Sequence, residues 1–246
     1  MLAKLYYGTV IFYIRLKRNT FDLLVARWDM MVDLTELGFQ RGIIAETIIS
    51  TYNKDGTPNA APMGTIMQDP SHIVVNLFNS SSTFQNIKAN RCAVANLTSN
   101  IDLFYKTTFK EANPNGKLPK EWFEKSKSIN APKLHTADAV VEMSADDLAP
   151  FGKEKTKVVF NVKLIEATQK YPQVHCRAMS ATLEAIIHAT RIQAFAKDER
   201  QQLEVQNLLE MVKQCSDVVN RVAPDSSYSL VMADLLKRID SWGIHR

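Results

Sequence analysis

The spacing of apolar residues changes once along this chain. Up to about residue 170 they recur with period 2 in short runs, and after Pro172 they recur with the 3.6-residue period of a helix. The first regime opens with "IIAETIISTY" (43–52), rich in β-branched residues, followed by "NKDGTPN", whose Asp-Gly supplies the positive φ of a tight turn. "AAPMGTIM" then runs into the turn "QDPSH", and "IVVNLFN" (73–79) is a third strand. "SSSTFQNIKAN" carries Ser82-x-x-Gln85, a capping-box pattern, ahead of a short helix that Asn90 ends. "CAVANLTS" (92–99) returns as a strand, with "IDLFYKTTF" after it. Four short strands with one short helix among them predict an antiparallel barrel or open sheet, not a doubly wound fold.

Residues 110–133, "KEANPNGKLPKEWFEKSKSINAPK", are polar and rich in Pro, Asn and Lys. They predict a surface excursion with one helical turn near Trp122, either a solvated loop or a lid over a site. "ADAVVEMSADDL" and "TKVVFNVKLIEATQK" (156–170) supply further strands. In the second regime, Leu183, Ile186, Ile187 and Ala194 make one helical stripe, and Val205, Leu208, Leu209, Val212 and Val219 make another, with Asp198 as an N-cap. "LVMADLLKRIDSW" closes the tail as a third helix. The fold class read from this order is α+β: an antiparallel barrel or open sheet over 31–172, with an appended helical region over 173–246 packed as a small bundle or against the sheet.

Three features carry candidate chemistry. The segment Asn59, Ala60, Ala61, Pro62, Met63, Gly64 is thin for a strand: Pro removes a ladder hydrogen bond, and Gly marks close approach of a ligand or another backbone. A bulge at a barrel corner and a face cleared for something flat both fit. Next, Ser80, Ser81, Ser82 and Thr83 place four hydroxyls at a helix start, where free N–H groups and the helix dipole favour an anion. A cap needs one or two of them, so the run outlines a phosphate site. Finally, Glu184, His188 and Arg191 share one face of the helix 178–196, with Arg177 just before it. A metal site, an ion-pair network and an anion contact are all open for this stripe.

Composition narrows the classes. The net charge is +4, but three of those four charges lie within residues 1–30, so the remainder is close to neutral. That argues against a basic groove for nucleic acid. Cys92, Cys176 and Cys215 are odd in number and far apart, as in a reducing, cytoplasmic compartment. No run reaches the length of a bilayer span. Residues 1–30 stand apart: "VDLTELGFQRG" after Met30-Met31 reads as a protein start. The leader is thus a translation-start artefact, a membrane-surface anchor beside "RLKR", or an extra strand.

The runs "GIIAETIISTYNKDGTPNAAPMGTI" and "IVVNLFNSSSTFQNIKANRCAVANLTSNIDLF" together resemble the FMN-binding split barrel, the fold of flavin reductase-like and pyridoxamine-phosphate-oxidase-like proteins. With "APKLHTADAVVEM" and "HCRAMSATLEAIIHATR", the layout resembles a branch known as a domain of unknown function; the leader and 110–130 fall outside the likeness. The resemblance implies FMN as cofactor, its ring against Asn59 to Gly64 and its phosphate held by Ser80 to Thr83. Asn86 and Asn96 are further hydrogen-bonding candidates, and Arg177 a candidate anion contact. It also implies a homodimer with flavin at the interface, and a flavin-dependent oxidoreductase with a nicotinamide or deazaflavin donor. A protein that only holds flavin, or a cofactor-free interaction module, is the alternative. No Arg or Lys in the resembling motif offers itself as a phosphate partner.

Overall fold

The computed structural model describes residues 5–6, 9–10, 33–168 and 176–242. Two short strands, β1 (Leu5–Tyr6) and β2 (Thr9–Val10), pair antiparallel within a unit spanning Met1–Val32. The expected start at Met30-Met31 lies outside the described residues. Residues 33–246 form a second unit that contains both barrel and helices.

Six strands close the barrel: β3 (Ile44–Tyr52), β4 (Pro58–Asp69), β5 (His72–Phe78), β6 (Cys92–Leu97), β9 (Ala139–Phe151) and β10 (Lys155–Ala167). Their order around it is β10, β5, β4, β3, β6, β9, with β9 pairing back to β10, all antiparallel. The β3–β4 turn follows from its sequence: Gly56 takes φ +78°, and the Asp55 carboxylate accepts from the Thr57 N–H at 3.0 Å. Alternation then sorts the side chains of each strand. Ile49, Ile73, Val75, Leu77, Val141, Val158 and Phe160 fill the barrel, plugged by Phe84 and Ile87 from helix α1 (Ser82–Asn90).

The opposite face of β3 and β4 carries Ile48 and Ala60 into a second core shared with the helices α2 (Ile101–Thr108), α3 (Arg177–Phe195), α4 (Gln202–Val222) and α5 (Ser227–Ser241). The three C-terminal helices appear as periodicity predicts. Asp198 caps a short 3₁₀ turn, Glu199–Gln201, that leads into α4. Helix α2 was not foreseen: eight residues hold barely two turns of pattern, and its start rests on the Asn100 side chain accepting from the Asp102 N–H at 3.0 Å. The expected antiparallel barrel with C-terminal helices is thus the architecture found, with α2 added between barrel and bundle.

The excursion is folded. It contains the expected turn at Lys120–Trp122 and a hairpin of β7 (Phe123–Lys125) and β8 (Pro132–Leu134). The Glu142 carboxylate, fully enclosed on β9, accepts from the N–H groups of Lys127 and Ser128 at 2.8 and 2.6 Å and from the Ser128 hydroxyl at 2.6 Å. Lys133, also buried, pairs with Glu166, which Lys127 contacts as well. Burial opposes that charge, but the Glu166 and Glu124 carboxylates hold the Lys133 ammonium above its ordinary pKa.

Candidate functional site

The start of β4 and the start of α1 meet in a buried polar network. Asn59, on β4, donates from Nδ2 to Thr83 Oγ1 at 3.2 Å and Thr51 Oγ1 at 3.3 Å. Asn86, one helical turn after Thr83, donates from Nδ2 to Thr51 Oγ1 at 3.0 Å and Asn53 Oδ1 at 2.9 Å. Strand alternation aims Asn59 and Thr51 to one side, and the turn of α1 sets Thr83 and Asn86 opposite them. A residue absent from the sequence reading completes the group: Lys110, beyond α2, donates from Nζ to Asn59 Oδ1 at 2.6 Å. Burial lowers the Lys110 pKa, and it forms no ion pair among the described residues. Lys110 is thus a half-buried cation whose charge nothing described here balances. Asn53 and Asn86 also line a cleft of about 760 Å³ with Tyr52, Gln85, Asn90 and Lys125, so the network borders open space.

The four hydroxyls separate into different tasks. Ser81, not Ser82, is the N-cap: its Oγ accepts from the Phe84 N–H at 3.2 Å and donates to the Phe78 carbonyl at 2.8 Å. The capping box expected at Ser82 and Gln85 is therefore one residue out of register, and Gln85 instead donates to the Asn79 carbonyl at 2.7 Å. A run of serines leaves the cap position undetermined by pattern alone. Ser80 and Ser82 are exposed, and Thr83 is buried in the network.

The thin strand divides likewise. Ala60, Pro62 and Gly64 lie on the outer face with their β3 partners Ser50, Ile48 and Glu46, while Ala61 and Met63 face the other way opposite Ile49 and Thr47. Ala60 has no exposure and packs in the core shared with Phe104 and Ile101 of α2. Pro62 and Gly64 are half-buried. A Cβ on Gly64 would stand 2.8 Å from Ile44 Cγ2, so the neighbouring strand already occupies that volume. Asn96 is fully enclosed: Nδ2 donates to the Ile48 carbonyl at 2.7 Å and Ser50 Oγ at 2.8 Å, and Oδ1 accepts from the Leu134 N–H at 2.7 Å. It ties β6 to β3 and to the excursion.

The stripe on α3 is partly assembled. His188 is buried with Nδ1 unpartnered, and its Nε2 lies 3.5 Å from Glu184 Oε1. Arg191 and Arg177 are exposed. Sequence reading missed Glu46, exposed at its surface, whose carboxyl is held above its ordinary pKa by partial desolvation and then by the nearby Glu184 carboxylate. No group of three metal-ligating side chains occurs among the described residues.

A family model described as "Protein of unknown function (DUF447) N-terminal domain" matches residues 45–185. The chain belongs to this DUF447 family. The match runs from β3 into α3, so it includes the whole barrel, Lys110 and the excursion that the sequence resemblance had left out. Among solved structures, an FMN-bound DUF447 protein from Methanosarcina mazei is similar to this chain at 25% identity, TM-score 0.69, over 84% of this chain and 100% of that one. Two others match more narrowly. Nitrilotriacetate monooxygenase component B from Bacillus cereus has 16% identity and TM-score 0.45 over 59% of this chain and 81% of its own. Flavoredoxin from Methanosarcina acetivorans has 15% and 0.43 over 53% and 72%. No curated protein sequence matches.

Proposed function

We propose that this DUF447 protein binds FMN and works as a flavin-dependent oxidoreductase, acting as a homodimer in the cytoplasm. The observation that carries the reading is the FMN bound in a family member that shares its fold across the length of the barrel and beyond. The residues fit such a group. A half-buried ammonium with no ion pair among the described residues and the Thr83 hydroxyl gather beside a helix N-terminus, a donor set suited to an anionic tail. The Asn59 and Asn86 amides, whose N–H groups are spent on Thr51, Thr83 and Asn53, hold that set in place. The ring is assigned to the outer face of β4 at Pro62 and Gly64, where side chains are fewest; Ala60 and Asn96 serve the fold beneath it.

When bound, FMN supplies hydride and single-electron chemistry, and the protein supplies position and local polarity. A nicotinamide or deazaflavin would be the donor. No helix among the described residues is long and apolar enough to cross a membrane. The test is direct. Purified protein should be yellow with the visible spectrum of oxidised flavin, and anaerobic addition of a reduced pyridine nucleotide should bleach it. A colourless protein that takes up no added FMN overturns the reading; a coloured one that no donor bleaches is a flavin holder.

A further inference from the structure

Resting on the FMN reading, we infer that Lys110 is the residue that selects a phosphorylated flavin, its ammonium pairing with the flavin phosphate at the start of α1. The resembling motif offered no basic partner for that phosphate, and the fold brings one in from the first residue of the excursion. Lys110 and Thr83 meet at one side chain: Asn59 accepts from Nζ of the first at 2.6 Å and donates to Oγ1 of the second at 3.2 Å. Thr83 is the second residue of α1, so the N–H groups of Ser82 and Thr83 have no partner within the helix. The Ser81 cap serves Phe84 and leaves them free of side-chain capping.

A lysine placed only to brace Asn59 would be a poor choice. Its charge stays half out of water against a neutral amide, a cost that a carboxylate or phosphate would offset and that no ion pair among the described residues offsets. Position also matters. Thr107 and Thr108, just before it, spend their hydroxyls on the α2 carbonyls of Leu103 and Phe104, and Asn113, just after, caps the carbonyls of Lys106 and Lys110. The backbone on both sides of Lys110 is therefore fixed, and its ammonium is presented from a rigid base.

The test compares FMN with riboflavin, which shares the ring and lacks the phosphate, by flavin fluorescence on the full-length chain. The wild type should prefer FMN. Lys110→Gln should weaken FMN roughly 10- to 100-fold, the size of a charge-assisted hydrogen bond, and leave riboflavin unchanged; Lys110→Arg should keep the preference. Equal loss for both flavins marks a structural role and overturns the inference, as does an unchanged FMN affinity. In the wild type, FMN but not riboflavin should protect Lys110 from reductive methylation, read by mass spectrometry, which keeps the inference testable if the glutamine variant does not fold. Methylation of Lys110 at the same rate with and without saturating FMN overturns it. Wild type that binds neither flavin defeats the FMN reading itself.

Discussion

Strand β4 is constructed in two opposite ways along its length. At its start, Asn59 is enclosed and bonded through both ends of its amide to Thr51, Thr83 and Lys110. Five residues on, Gly64 has no side chain, and the vacated volume is taken by Ile44, itself 60% exposed. The first region is specific because each polar atom there demands a partner. The second is permissive, since an apolar surface at the molecule's edge loses little if its occupant changes. A cofactor with a charged tail and a flat ring needs one of each.

Four tests probe that contrast, in falling order of effect. Asn59→Leu strands Lys110 and Thr83 without their shared partner and should cost about 2–4 kcal/mol in urea denaturation; a loss below about 1 kcal/mol would show that the network contributes little. Gly64→Ala should cost about 1–3 kcal/mol through the contact with Ile44, and adding Ile44→Ala should recover most of it, since the clash needs both partners. Ser81→Ala removes the α1 cap and should cost about 1 kcal/mol, whereas Ser82→Ala, exposed and uncommitted, should change stability very little. Glu46→Gln should have the smallest effect, and its sign depends on pH. The folded-state pKa of Glu46 is raised, so this group favours the fold at low pH and loses that contribution as pH climbs past its unfolded value. The glutamine variant should melt slightly higher at neutral pH, and like the wild type below about pH 4.

The barrel was legible because its strands alternate and its turns carry Asp-Gly or Pro, and the tail because Val205, Leu208, Val212 and Val219 keep helical spacing. The site was legible only in outline. Asn59, Thr83 and Asn86 lie in segments whose composition announces something unusual, yet their bonds join residues 24 and 35 positions apart, which no local pattern encodes. Lys110 was invisible for a different reason. It opens a stretch rich in Pro, Asn and Lys, where one more lysine reads as a solvated charge, and only the placement of α2 beside β4 turns it inward. At Gly64 the sequence leaves a close neighbour and a ligand both open, and the structure supplies the close neighbour in the Ile44 side chain of the paired strand, an exposed group on which a ring could rest.

The anchoring of the excursion by Glu142 sets how that segment ought to behave in time. Because the amides of Lys127 and Ser128 are bonded to a carboxyl group that has no exposure, on the outer face of β9 beneath the excursion, freeing them would leave that buried group without its partners. Their hydrogens should exchange slowly for a loop, opening only when the excursion lifts off the wall, although by sequence they sit at the tip of an insertion.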